Sequence, residues 1–116
     1  NYFQDNFGPN VVRKAEEKGV GRLALKAMAR SKWAEGADRS QFPKCWYTPV
    51  KDEEEAQLAL RFTLSQPITA AIPPGELQFF DWATKIALDF KPLTDLEVQE
   101  LENRSAGLEA IFQLAG

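Results

Sequence analysis

The chain contains no histidine, and that absence removes the commonest general acid/base and the commonest metal ligand from consideration. Serine–histidine and cysteine–histidine chemistries are excluded with it. A single cysteine, Cys45, cannot close an internal disulfide, and one thiol without imidazole makes a poor zinc set. No run of about twenty apolar residues and no charged-then-apolar leader is present, which points to a cytoplasmic protein that does not span a membrane. There is no excess of positive charge either. The 14 Lys and Arg face 17 Asp and Glu, for a formal charge of −3, and both signs are spread along the chain. No basic stripe is offered to nucleic acid.

The 116 residues have the apolar and charged fractions of one ordinary globular domain with a modest core. After a short aromatic stretch, residues 1–3, read as a strand, Gly8-Pro9 opens a helix, since proline is tolerated in a first helical turn. Gly19 follows the basic end at Lys18 and stops it. Val20 to Met28 reads as a strand with Gly21, Leu23, Leu25 and Ala27 on one face and Val20, Arg22, Ala24, Lys26 and Met28 on the other. Both faces are partly apolar, which suits a parallel strand covered on both sides.

Between Ala29 and Lys51 the periodicity lapses into a long connection crowded with Trp33, Trp46 and Tyr47, far beyond the usual few residues. Asp52 to Glu55 then forms a helix start, with Asp52 as cap and acidic residues complementing the dipole. Those carboxylates are helix-start charges rather than a catalytic pair. Ala56, Ala59, Leu60, Thr63 and Leu64 repeat at helical spacing, and Pro67 forbids continuation. Ile68 to Ile72 is a short buried strand. Phe79, Ala83, Ile86, Ala87 and Phe90 mark a helix over 76–90, in which Trp82 is a packing residue. Pro92 ends that helix, and Thr94 with Glu97 begins a terminal one towards Arg104.

The order β-α-β-α-β-α-α implies an α/β fold with parallel strands and right-handed crossovers. Three parallel strands make a poor sheet by themselves, because faces and edges must both be covered. Further strands are therefore expected.

The stretch from Lys18 to Ala29, a glycine-rich entry leading through alternating aliphatics to a small-residue turn, resembles the seventh strand of aldo/keto reductases. Residues 59–73, ALRFTLSQPITAAIP, resemble that family's seventh helix running into its eighth strand. The two motifs stand in the family's order and separation, and the likeness covers essentially the whole chain. It implies the C-terminal part of a TIM (β/α)8 barrel, from about the end of strand six through strand eight. A full barrel needs roughly 250 residues. The expected layout is strand, helix and strand over 1–28, the long loop over 29–51, helix, strand and helix over 52–90, and a helical tail over 91–116.

The resemblance implies NADP(H) as cofactor and a small carbonyl substrate in the complete enzyme. The family's catalytic Asp, Tyr, Lys and His lie upstream of these motifs, so no catalytic residue is expected in this segment. Leu25 stands where the family stacks a side chain on the nicotinamide. Lys26, Ala27, Met28 and Arg30 belong to the turn that approaches the pyrophosphate, which amides and cations can bind. Pro74 and Gly75 occupy the phosphate-gripping turn before a helix. There the sequence departs from the family, which has a lysine and a serine at those places and an arginine near Phe80, so the expected grip on the 2′-phosphate is weakened. Trp33, Trp46 and Tyr47 fall in the substrate-shaping loop, where aromatics suit a pocket wall. Cys45 lies among them with only Lys44 adjacent, a poor setting for a reactive thiolate.

Two alternatives stand beside this reading. One is a non-catalytic barrel remnant that covers its open strands with another chain or a second copy of itself. The other is an enzyme complete in these residues, with Glu35, Asp38 or Asp81 as acid alongside Lys26 or Tyr47.

Overall fold

Helix α1 (Phe7–Glu17) ends where the sequence predicts. Gly19 takes a left-handed φ of 63°, its N–H bonds to the Glu16 carbonyl at 3.0 Å, and Val20 N–H returns to Ala15 at 2.9 Å. The computed structural model of the chain describes residue 2 and residues 7–112. The expected strand over 1–3 therefore lies outside the described residues, apart from Tyr2, which sits in a turn. Its ring packs edge-on against Phe62, with centroids 5.1 Å apart, and its hydroxyl donates to Gln66 Oε1 at 3.2 Å. The same ring explains Gly8, since a Cβ there would stand 2.6 Å from Tyr2 Cδ2.

Strand β1 covers only Leu23–Leu25, much less than the predicted 20–28. Lys26 is the reason: it adopts φ 65°, the Lys26 carbonyl accepts from Ala29 N–H at 3.0 Å, and the chain turns out of the strand. Left-handed backbone is uncommon for a residue with a side chain. Ala29–Ser31 then forms β2, which pairs antiparallel with β3 (Thr48–Pro49). The expected loop over 29–51 is thus closed at its base by a small second sheet. The two strands were illegible because they are two or three residues long and their pairing spans the whole excursion.

Helix α2 (Glu53–Leu64) is capped by Asp52, whose side chain accepts from Glu55 N–H at 2.8 Å. It leads past Pro67 into β4 (Ala70–Ile72), parallel to β1 with Leu23 opposite Ala70 and Leu25 opposite Ile72. Helix α3 is Leu77–Leu88, and α4 is Asp95–Ser105 with the full Thr94/Glu97 capping box. Among the described residues the architecture is mixed α/β with one parallel strand pair, β1 with β4.

The core joins Met28, Tyr47, Val50, Ala56, Leu60, Phe79, Ala83 and Ile86. Of the parallel pair, Ala71 packs on it. The pair's bulky side chains face the other way: Leu23, Leu25 and Ile72 are 63%, 61% and 43% exposed. The expectation of strands covered on both faces is not met among the described residues. Ala87 and Phe90, assigned to the buried stripe of α3, are exposed as well, because the helix ends at Leu88 and only Phe79, Ala83 and Ile86 turn inward.

Candidate functional site

Leu23, Ala24 and Leu25 of β1 line an apolar groove of about 490 Å³. Val12, Ala59, Phe62, Leu108 and Ile111 contribute its walls, and Leu25, Lys26, Ala27 and Arg30 line one stretch of it. Four of the residues assigned by resemblance to cofactor binding are therefore neighbours along one concave surface. The left-handed turn at Lys26 brings this about by carrying the chain from β1 into β2.

The cations at this surface are not equivalent. Arg30 Nε donates to Glu55 Oε1 at 2.8 Å, in a pair whose side chains are 18% and 9% exposed. Its charge is locally neutralised. Arg104, on the α4 side of the groove, is hydrogen-bonded to Glu100 and then to Glu54, and both raise its pKa. Lys26 has no carboxylate partner among the described residues. Its Nζ lies 4.7 Å from the Trp46 ring centroid and 4.9 Å from that of Phe112, and the two rings are 6.1 Å apart. Such contacts contribute about 0.5–1 kcal/mol each at exposed sites, well below an ion pair with an anionic ligand held out of water. Lys26 is thus the group at this surface best placed to meet an anion.

The remaining assigned residues lie elsewhere. Met28 is wholly buried in the core, and its carbonyl is taken by Val50 N–H at 2.9 Å, so its side chain does not reach the groove. Pro74 is buried and Gly75 exposed beside the Lys44 side chain, and neither lines the groove. Glu76, at the N-cap of α3, uses its carboxylate on Lys44 N–H at 2.6 Å instead of capping its own helix.

The three loop aromatics divide by exposure. Trp46 is exposed, and it meets Tyr47 edge-on with centroids 5.5 Å apart. Tyr47 is buried in the core, and that burial, followed by the nearby Cys45, pushes its phenol up to about 12. Trp33 Nε1 donates to the Cys45 carbonyl at 2.8 Å and ties the loop to itself. The Cys45 thiol is buried and its pKa is raised, by desolvation first and by Glu76 second, the opposite of thiolate activation.

The acids weighed for an autonomous site do not converge. Asp38 accepts from the Ser40 N–H and hydroxyl, which lowers its pKa in an exposed turn. Asp81 is on the outer face of α3, and Glu35 is exposed in the long loop. Among the described residues no group of Cys, Asp and Glu could hold a metal ion, and no helix is long and apolar enough to cross a membrane.

Two contributors to this surface escape a reading of the sequence. Glu55 looks like a helix-start charge, yet it binds Arg30 and also accepts from Lys51 N–H at 2.7 Å. Phe112 lies beyond the last helix with no periodic signal around it. Neither pairing has a local signature. No protein-family model, curated protein or solved structure matches the chain.

Proposed function

We propose that this chain is the C-terminal segment of an aldo/keto reductase-like (β/α)8 barrel, in a cytoplasmic protein that reduces aldehydes or ketones with NADPH. The observation that carries the reading is the open side of the parallel pair. Leu23, Leu25 and Ile72 are left to solvent while Ala71 faces the helices. A parallel sheet normally has both faces covered, and in a closed barrel inward-pointing branched side chains like these form packed layers. The uncovered face and edges are what the remaining barrel strands would fill.

The groove surface fits the proposed cofactor in chemical kind: apolar area at Leu23 and Leu25 for a flat ring, and at Lys26, for a phosphate, a cation with no acidic partner among the described residues. NADPH supplies hydride when bound. This segment would orient it through Leu25, Lys26 and Ala27 and would wall the substrate pocket with Trp46, while the proton-transfer groups come from elsewhere in the barrel. The alternative of a non-catalytic remnant draws support from Pro74 and Gly75, which offer no polar side chain to a 2′-phosphate, and from Arg30, already neutralised by Glu55.

Equilibrium titration of NADPH into the protein at its natural length tests the reading. Saturable binding is expected, and Lys26→Ala should weaken it about tenfold through loss of one charge-assisted contact. Absence of NADPH binding to the wild type would favour the non-catalytic remnant.

A further inference from the structure

Helix α3 carries apolar side chains on two opposite faces. Phe79, Ala83 and Ile86 enter the core. On the far side Leu77, Phe80 and Leu88 are 73%, 54% and 85% exposed, with Thr84 and Ala87 exposed between them. Residues 77, 80, 84 and 88 follow helical spacing and form one stripe along the length of the helix. A single exposed leucine needs no explanation, but large apolar groups aligned along a whole helix mark an interaction surface.

The charges beside the stripe indicate what covers it. Asp81 and Lys85, one turn apart, flank it on the same side, and both are exposed. Neither forms an ion pair among the described residues. When two copies of this helix meet antiparallel about a two-fold axis near residues 82 and 83, Leu77 of each lies against Leu88 of the other. Phe80 then packs beside Thr84, and Asp81 faces Lys85. A two-fold interface requires that residue i meet j and j meet i, and this stripe is self-complementary in both apolarity and charge. A parallel pairing about an axis along the helices would place the Asp81 and Lys85 flanks of the two copies on opposite sides of the seam, where they do not meet.

We propose that the outer face of α3 is an interface with a second copy of this chain, formed by antiparallel packing of the two α3 helices. The inference is independent of the proposed activity, since it uses the side of α3 turned away from the core.

Sedimentation analysis of the natural-length protein and its variants tests it. The wild type should self-associate, and Phe80→Glu should give a monomer with an unchanged circular dichroism spectrum. Asp81→Lys and Lys85→Asp should each weaken self-association about fivefold or more, by opposing like charges twice across the axis. An equimolar mixture of those two variants should recover association, because the two lysines of one then face the two aspartates of the other. A purely intramolecular role for these charges cannot produce that recovery. A monomeric wild type, as expected if another segment of the same protein covers α3, would overturn the proposal, as would a Phe80→Glu dimer or a mixture no more associated than its parts.

Discussion

Arg30 and Glu55 are joined by a 2.8 Å ion pair that ties the start of the long loop to the first turn of α2 across 25 residues of sequence. The second oxygen of Glu55 holds Lys51 N–H, so one carboxylate fixes both ends of the excursion between β2 and α2. Both side chains are mostly buried, and removing one partner strands the other. Glu55→Ala should cost about 3 kcal/mol of unfolding free energy, measured by urea denaturation. Arg30→Ala should cost a similar amount, and the double variant clearly less than the sum. Additive losses would show that the two groups act separately.

Gly8 yields a prediction of sign. In most helical positions glycine to alanine stabilises by up to about 1 kcal/mol. Here the new Cβ would meet the Tyr2 ring at 2.6 Å, so Gly8→Ala should destabilise by roughly 1–2 kcal/mol. In a Tyr2→Ala background the same change should become neutral or stabilising. Equal effects in both backgrounds would remove Tyr2 as the cause.

The boundaries that depend on local chemistry were legible in the sequence: Gly19 after a basic helix end, Asp52 as a cap, Thr94 with Glu97, and Pro67 just past α2. Each acts on backbone within a few residues of itself. The length of β1 was not legible, because alternation continues to Met28 and only the positive φ at Lys26 shows where the strand ends. Of the residues assigned by likeness, only some fall on the groove. Leu25, Lys26, Ala27 and Arg30 do share a surface, whereas Met28 is core and Pro74 and Gly75 lie outside the groove. The pairings that decide which cation is free, Arg30 with Glu55 and Lys26 between Trp46 and Phe112, join distant residues and leave no periodic trace.

Acid stability should depend on Glu97. Hydrogen bonds from Arg61 and then from Thr94 N–H lower its pKa from 4.5 to about 2. A carboxylate depressed in the folded state contributes stability that is fully present above the unfolded value and is lost as pH falls towards the folded one. Unfolding free energy should therefore decline between about pH 4.5 and 2, and Glu97→Gln should flatten that part of the profile. An unaltered acid limb in the variant would contradict the role given to Arg61.

At the alkaline end the relevant group is Tyr47. Its phenol is raised from 10 to about 12 by burial and by Cys45, so the neutral form is favoured in the folded chain. That contribution is present below pH 10 and is lost as pH rises towards 12. Ultraviolet titration of a Tyr2→Phe variant isolates this phenol and should show ionisation near pH 12. Ionisation near pH 10 would place Tyr47 in water rather than in the core.

The central claim, a segment of a carbonyl-reducing barrel, is tested most directly by NADPH oxidation in the presence of a simple aldehyde. The account predicts turnover by the protein at its natural length and none by these 116 residues alone, which contain no histidine. Turnover by the bare chain, or none by the natural-length protein across a panel of aldehydes and ketones, would contradict it.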